Sequence, residues 1–154
     1  MPTFPFDTQK IIPIGSDHAG FELKKHLIPY LQEKGFIIED LGCFDSSRVD
    51  YPSVANDVMS AFKQYNSERA ILCCGSGIGM GIAANRFSFA RAVVANDLFS
   101  AKMSRRHNNS NVLCLGGRVL GLDLAVDIVD TWLSTPFDGG RHESRVALLA
   151  KSRS

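Results

Sequence analysis

Five short apolar runs, separated by stretches with helical periodicity, constrain the fold of this chain more than any other feature. The runs are continuous rather than alternating in polarity, which is typical of strands that are buried on both faces of a sheet. Strands that alternate with helices pair in parallel, because each crossover helix packs on a face of the sheet. The pattern therefore predicts an α/β fold with helices on both faces of a five-stranded parallel sheet. The predicted strands are residues 11–15, 36–41, 70–74, 90–94 and 112–115.

The stretches between these runs carry apolar side chains at helical spacing, on one face of each predicted helix. Pro29 lies inside the first helix and is expected to kink or interrupt it, whereas Gly35 is suited to end it. The 154 residues are expected to form one domain, with residues 1–10 as an N-terminal extension and residues 136–154 as a C-terminal arm and helix. The predicted helices are residues 21–34, 53–65, 97–106, 122–133 and 142–151.

Composition argues against several classes of protein. The net charge is +1, so the electrostatics do not indicate binding to nucleic acid or to a membrane surface. The longest apolar runs are far shorter than a bilayer span, and residues 1–10 lack the pattern of a secretory signal. No C-x-x-C pair exists among Cys43, Cys73, Cys74 and Cys114, which argues against a zinc site or a disulfide framework. We therefore expect reduced thiols in a cytoplasmic protein.

The segment from Cys74 to Gly81 lies where the third predicted strand ends and a helix begins. Its sequence, Cys-Gly-Ser-Gly-Ile-Gly-Met-Gly, places a thiol beside a glycine-rich turn. Backbone N–H groups at a helix start are unpaired and can hold an anion, and the same field favours a thiolate over a thiol. Cys74 is thus a candidate base or nucleophile, and the turn is a candidate oxyanion cradle. A tight βα turn with a buried cysteine explains the segment equally well.

Other candidate residues include polar side chains at the carboxyl end of the first predicted strand, the edge where open parallel sheets bind ligands. Asp17 and His18 follow the first strand, and either could transfer a hydroxyl proton, although Asp17 could equally cap the next helix. His107 precedes an asparagine-rich stretch just before the fifth strand. Arg141 and Arg145 are four residues apart, so one helix face could present both to a phosphate or simply to solvent.

Neither glycine cluster matches a nucleotide-binding fingerprint. Residues 15–20 lack the second glycine of G-x-G-x-x-G, and no G-K-[ST] sequence is present for a P-loop. Dinucleotide and ATP binding are therefore weakly supported, although the predicted fold class includes many proteins with those functions.

Several segments carry the motifs of one family in the same order and with the same spacing. Together they resemble the type B ribose-5-phosphate isomerases, within the wider family of sugar-phosphate isomerases that includes enzymes for galactose and allose 6-phosphates. The resemblance extends from about residue 11 to residue 145. The matching segments are residues 15–24, 50–52, 74–79, 83–85, 91–92, 104–108, 116–118 and 139–145.

The resemblance implies a three-layer αβα sandwich with a Rossmann-like sheet. It also implies a metal-free homodimer with active sites between the subunits, and leaves open whether dimers pair further into a tetramer. The implied reaction interconverts D-ribose 5-phosphate and D-ribulose 5-phosphate through a cis-enediolate, in the non-oxidative pentose phosphate pathway. No cofactor is required, because the electrons stay within the substrate. Pentose and hexose members share these motifs, so the sequence does not decide between those substrates.

The resemblance also implies a role for each matching residue. Cys74 would move the proton between C2 and C1, while His107 would open the furanose ring with help from Asp17. Asn108 would contact sugar hydroxyls, and Ser76 is a candidate catalytic residue at a position where the family usually has Ser or Thr. The enediolate oxygens would be held by Gly75, Ser76, Gly77, Ile78 and Gly79. The phosphate would be held by His18, Arg118, Arg141, His142 and Arg145.

Two other classes of function remain open. A non-catalytic module that binds a phosphorylated ligand would need the glycines and arginines but neither Cys74 nor His107. A thiol-based redox protein would need a resolving cysteine, and Cys73 is expected to point to the opposite face of the sheet because it is adjacent to Cys74 in a strand.

Overall fold

A computed structural model describes residues 3–150, and the α/β class predicted from the sequence is confirmed. The strands are β1 (Ile12–Ser16), β2 (Ile38–Asp40), β3 (Ala70–Cys74), β4 (Ala92–Val94) and β5 (Val112–Gly116). The helices are α1 (Phe21–Glu33), α2 (Tyr51–Gln64), α3 (Ile78–Ala84), α4 (Leu98–Asn108), α5 (Leu122–Ser134) and α6 (Arg141–Leu149). All strand pairs are parallel, and the strand order is β2-β1-β3-β5-β4.

The sheet is the middle of three layers, as the resemblance implied. Successive residues of β3 point to opposite faces of the sheet. Ile71 and Cys73 join one apolar core, which α1, α4 and α5 complete. Leu72 and Cys74 join the other, which α2 and α3 complete. The expectation that Cys73 and Cys74 face apart is therefore confirmed.

The two edge strands are shorter than the sequence predicted. β2 and β4 have three residues each instead of residues 36–41 and 90–94. Each edge strand pairs on one side only, so fewer ladder hydrogen bonds hold its ends than in a central strand. The side chains of β2 are half-buried, whereas β1, β3 and β5 are buried throughout, as the continuous apolar runs predicted.

The predicted helices are all present, and their bounds lie within two residues of the prediction. α1 continues through Pro29 to Glu33, so the expected interruption does not occur. Pro29 lies on the exposed face, where water can satisfy the carbonyl that loses its backbone donor. α4 extends two residues beyond its predicted end, to Asn108, and Asn109 caps it in the left-handed conformation with φ 47°. The predicted end of the last helix, Lys151, lies outside the described residues.

A buried lysine fixes the loop that follows β2. Lys24 of α1 is 1% exposed, and its ammonium group donates to the carboxylate of Asp40 and to the carbonyl of Cys43. A buried charge is tolerated only when such partners surround it. The loop is thereby held close to the carboxyl end of β1. Across residues 3–150, none of the helices is long and apolar enough to cross a bilayer.

Candidate active site

A cavity of about 450 Å³ opens at the carboxyl ends of the central strands. The chain passes from β1 outward to β2 and then back across β1 to β3, so the strand order reverses there. Open α/β sheets bind ligands at such a reversal. We call the cavity at these strand ends the thiol cavity. It is lined by Asp17, His18, Ala19, Tyr51, Cys74, Gly75, Ser76, Gly79, Arg118 and Val119.

Cys74 is the last residue of β3, and its sulfur receives a backbone hydrogen bond. The Gly77 N–H donates to Cys74 Sγ at 3.1 Å. Gly77 has φ 82°, and a Cβ there would lie 3.1 Å from the backbone of Leu115. A glycine is therefore needed for the turn that brings this amide to the sulfur.

The structure brings three of the five residues predicted for the oxyanion cradle to the thiol cavity, namely Gly75, Ser76 and Gly79. Gly77 and Ile78 do not line it. The Gly77 N–H is engaged by Cys74, and the Ile78 N–H donates to Ser76 Oγ at 3.2 Å. The Ile78 side chain is 57% exposed, so it points away from the buried end of the cavity.

Asp17 and His18 are held by backbone groups at the end of β1. Asp17 Oδ1 accepts the N–H groups of Ala19 and Gly20 at 2.9 and 3.0 Å. Gly20 occupies the N-cap position of α1 without a side-chain cap, so Asp17 closes the preceding turn instead of capping the helix. His18 Nδ1 accepts the N–H of Val49 at 3.4 Å, which leaves Nε2 as the nitrogen for a ligand.

Arg118 and Tyr51 close over the glycines of the turn. A Cβ at Gly75 would lie 3.4 Å from Cδ of Arg118, and one at Gly79 would lie 2.9 Å from the Tyr51 ring. Sequence reasoning assigned no role to Tyr51 or to Val119. Tyr51 is the first residue of α2, and its place in the matching segment of residues 50–52 was the signal that could have found it.

Four other predicted site residues, His107, Asn108, His142 and Arg145, line a second cavity of about 310 Å³ between α4 and α6. We call this the imidazole cavity. Within the described residues the two cavities share no lining residue. Arg141 lines neither cavity, although it belongs to α6 as its spacing predicted. The imidazole cavity is lined by His107, Asn108, His142, Arg145, Val146 and Leu149.

The two histidines of the imidazole cavity stack on each other. Their ring centroids are 4.5 Å apart and the ring planes differ by 11°. His107 lies in the last turn of α4 and His142 in the first turn of α6. Burial lowers the pKa of His142, and the nearby charges of His107, Arg141 and Arg145 lower that pKa further. The neutral form of His142 is thus favoured beside His107.

His107, Asp138 and His142 offer metal-ligand atoms within 4.8 Å of one another. Imidazole binds metals through a lone pair in the ring plane, and one ion cannot lie in the planes of two nearly parallel stacked rings. The carboxylate of Asp138 is also bound by Arg106 at 3.0 Å, which lowers the pKa of that carboxyl. The arrangement fits a pair of imidazoles that exchange protons with a ligand better than a metal centre.

These features define an α/β protein with a thiol at the central strand ends and arginine and histidine side chains around two cavities. Residues 12–149 match the model of the Ribose/Galactose Isomerase family, and the chain belongs to this family. The resemblance seen in the sequence motifs is thereby confirmed.

Individual relatives cover nearly the whole chain. It is 47% identical over 140 residues to ribose-5-phosphate isomerase B of Escherichia coli (strain K12), covering 91% of this chain and 94% of that protein. The fold matches a crystal structure of ribose 5-phosphate isomerase B from Thermotoga maritima with TM-score 0.88 and 47% identity, covering 92% and 97%. It also matches the enzyme from Mycoplasma genitalium with bound ribulose 5-phosphate, with TM-score 0.86 and 36% identity, covering 91% and 93%.

Proposed function

We propose that this chain is an aldose–ketose isomerase that interconverts D-ribose 5-phosphate and D-ribulose 5-phosphate. The observation that carries the proposal is Cys74, which ends the central strand β3 in the thiol cavity with a backbone donor at its sulfur. The relatives support the choice of substrate, since one is named for this reaction and another holds the ketose product. The reaction belongs to the non-oxidative pentose phosphate pathway.

The proposed chemistry is a proton transfer between two adjacent carbons. The Cys74 thiolate removes the proton from C2 of the open aldose, and the electron pair moves to the carbonyl oxygen to give a cis-enediolate. The resulting thiol returns the proton to C1, and the hydroxyl proton passes from O2 to O1, so the ketose carbonyl forms at C2. Amides of Gly75 and Ser76 stabilise the oxyanion, a type of interaction that contributes roughly 3–4 kcal/mol per donor. No electrons leave the substrate, so the reaction requires no redox cofactor.

Residues of both cavities serve the rest of the substrate. His107 opens the furanose ring by proton transfer, with Asp17 assisting, and Asn108 binds sugar hydroxyls. Arg118 and His18 hold the phosphate from the thiol cavity, while Arg141, His142 and Arg145 hold it from α6. Binding at a phosphate remote from C1 and C2 orients the reacting carbons beside Cys74.

The separation of the two cavities supports a homodimer in which one subunit supplies the thiol cavity and its partner the imidazole cavity. Exposed apolar side chains are consistent with such an interface, including Phe99 at 73%, Ile82 at 63% and Leu149 at 63% exposure. Leu149 also lines the imidazole cavity, so a partner that covers this side chain would complete that cavity.

A subunit-mixing experiment tests the shared site. Cys74→Ala and His107→Asn should each be nearly inactive alone, because each removes one required group from every site. A mixed dimer regains one intact site, since one subunit keeps Cys74 and the other keeps His107. Random mixing of equal amounts gives one half mixed dimers, so activity should return to about one quarter of wild type. Persistent inactivity after verified subunit exchange would show that each chain contains its own complete site.

Isomerase activity itself is tested in D2O with ribose 5-phosphate. An isomerase of this kind incorporates deuterium at the carbon next to the carbonyl, whereas a non-catalytic phospho-ligand module or a redox protein does not. Comparison of kcat/KM for ribose 5-phosphate, allose 6-phosphate and galactose 6-phosphate then decides the substrate. We expect the pentose to be preferred, and a clear preference for a hexose would reassign the chain within its family.

The cellular setting and chain organisation follow from the same proposal. Cys43, Cys73, Cys74 and Cys114 are all free thiols, which is consistent with the reducing environment of the cytoplasm. We assign residues 1–154 to one isomerase domain, since the family match covers residues 12–149. The mass of the protein in solution distinguishes a dimer from a tetramer.

A further inference from the structure

Three arginines gather at the amino ends of the strands, the opposite edge of the sheet from the thiol cavity. Arg69 directly precedes β3, Arg91 directly precedes β4, and Arg105 reaches this edge from α4. They line a cavity of about 600 Å³, which we call the arginine cavity. The strands between the two edges are about 16 Å long at ~3.3 Å per residue, so this cavity is remote from Cys74.

Arg69 is the most constrained of the three arginines. It is 5% exposed, and its guanidinium lies over the rings of Phe6 at 4.7 Å and Trp132 at 5.6 Å. One nitrogen, Nη1, donates to the carbonyl of Glu68 at 2.8 Å. Nε, Nη2 and the hydroxyl of the neighbouring Ser67 are buried without a partner among residues 3–150. Unpartnered buried donors and an uncompensated charge are both costly.

Arg91 and Arg105 add charge to this cavity without a counterion. Arg105 is 2% exposed and donates only to neutral acceptors, the carbonyls of Thr135 and Ser110 and the side-chain oxygen of Asn109. Arg91 Nε donates to the carbonyl of Asn109 at 2.8 Å. No carboxylate in the described range forms an ion pair with any of the three arginines.

One carboxylate does face the arginine cavity, but other groups already bind it. Glu68 lines the cavity, yet its carboxylate pairs with Lys10 at 3.0 Å and accepts the N–H of Asp7 at 3.3 Å. Burial lowers the pKa of Arg69 to about 9; the charge of Arg105 lowers it further, and the charge of Glu68 offsets part of this effect. Burial also lowers the pKa of Arg105 to about 10. The cluster is thus held at an electrostatic cost that an anion would offset.

We propose that the arginine cavity binds a phosphate oxyanion, either as inorganic phosphate or as the phosphate end of a small metabolite. Nε and Nη2 form one edge of the Arg69 guanidinium and present two parallel donors, which match two oxygens of a phosphate. The Ser67 hydroxyl supplies a third donor, and Arg91 and Arg105 supply the remaining positive charge. None of these residues belongs to the proposed isomerase site, so the two proposals stand independently.

Thermal unfolding with and without phosphate tests this site. In phosphate, wild type should unfold at a higher temperature than in chloride of matched ionic strength, because phosphate binds only the folded state. In the Arg69→Met variant, phosphate should raise the unfolding temperature much less than it does in wild type. In chloride the same variant should be at least as stable as wild type, because it removes a buried charge without a counterion. Its kcat/KM for ribose 5-phosphate should be unchanged.

The proposed isomerase site is also expected to bind phosphate, from the thiol cavity and from α6, so a second variant weakens that site and leaves the arginine cavity intact. Arg118→Met removes a phosphate contact from the thiol cavity. Phosphate should still raise the unfolding temperature of this variant, because Arg69 is intact. In the Arg118→Met background, calorimetry should show a Kd for inorganic phosphate that Arg69→Met raises by at least about 10-fold, since a hydrogen bond to a charged group contributes roughly 1.5–3 kcal/mol. Glycerol 3-phosphate in the same titration distinguishes the two ligand sources. Tighter binding of glycerol 3-phosphate than of inorganic phosphate would identify the ligand as a phosphate ester. Equal or tighter binding of inorganic phosphate would identify the ligand as free phosphate.

Three results would overturn the proposal. Arg118→Met protein could show no stabilisation by either phosphate compound. Arg69→Met could lower the unfolding temperature equally in phosphate and in chloride, which would show a purely structural arginine. Arg69→Met could also convert the oligomer to monomer, which would assign the arginines to a subunit interface. If Arg69→Met does not fold, the half-buried Arg91→Met replaces it in the same comparison.

Discussion

The thiol cavity and the imidazole cavity are constructed in different ways. The thiol cavity lies at the ends of three buried strands, and backbone hydrogen bonds fix Cys74, Asp17 and His18 in place. The imidazole cavity lies between the ends of two helices, where ring stacking and neighbouring charges position His107 and His142. The comparison teaches that one half of the proposed site is set by the sheet itself, whereas the other depends on packing that a second subunit would complete.

The largest expected effect belongs to the thiol cavity. Cys74→Ala should lower kcat for ribose 5-phosphate by at least about 10³-fold, because it removes the group that carries the proton. Inorganic phosphate should still inhibit binding of a substrate analogue, since Cys74 does not hold the phosphate. Deuterium exchange from D2O measures the chemical step directly.

Cys73→Ala is the matched control for this prediction. Its sulfur lies one residue earlier on β3, is fully buried in the opposite core and does not line the thiol cavity. Burial raises the pKa of the Cys73 thiol well above its usual range, so it stays protonated. The control should retain exchange at a somewhat lower stability. Near-normal turnover by Cys74→Ala would remove the cysteine from the mechanism.

A smaller and more selective effect is expected in the imidazole cavity. His107→Asn should lower activity on ribose 5-phosphate by about 10²–10⁴-fold, because that sugar is mainly a closed furanose and must be opened by proton transfer. Erythrose 4-phosphate cannot close into the same phosphorylated ring. If the enzyme accepts that substrate, its turnover should be spared in the variant. Equal losses on both substrates would place His107 in binding or in the C–H proton transfer instead.

The same contrast explains what the sequence could predict. Parallel strands end at one edge, so the strand-end residues Asp17 and Cys74 were predicted to lie at the same edge, and the thiol cavity contains both together with Arg118. Helical spacing predicted that Arg141 and Arg145 share α6, but spacing does not tell which side chain enters a cavity, and only Arg145 does. The lengths of β2 and β4 were wrong because apolar runs do not report which strand lies at the edge.

The arginine cavity was missed for a related reason. An arginine directly before a strand, such as Arg69, normally extends into solvent, and nothing in the local sequence indicates burial. Its environment comes from Phe6 and Trp132, which are distant in sequence and meet it only in the folded chain. The asparagines after His107 are the sequence feature connected with this cavity. Asn109 accepts hydrogen bonds from the side chains of Arg91 and Arg105, and Asn111 accepts one from the Arg91 backbone N–H.

Phosphate binding offers a third test of how the two cavities cooperate. If both cavities hold the same phosphate, Arg118→Met and Arg145→Met should each raise KM for ribose 5-phosphate by about 10- to 100-fold, as expected for lost charged hydrogen bonds. The inhibition constant of inorganic phosphate should rise in parallel. A rise in KM in only one of these variants would assign the phosphate to one cavity alone. Arg141 is exposed on the same helix, and the KM of Arg141→Met measures how much α6 contributes beyond Arg145.

The smallest expected effect is a pH dependence specific to the imidazole cavity. The pKa of His142 is lowered in the folded protein from its usual value of 6.5, so the unfolded state binds more protons just below that pH. The contribution of His142 to stability is therefore fully present above pH 6.5 and is lost as the pH falls toward the folded-state pKa.

His142→Phe keeps an aromatic ring for stacking on His107 but cannot be protonated. Relative to wild type, its unfolding temperature should rise progressively as the pH falls below 6.5. If the unfolding temperatures of His142→Phe and wild type differ by a constant amount from pH 5 to pH 8, then packing alone, and not proton binding, accounts for the effect of His142 on stability.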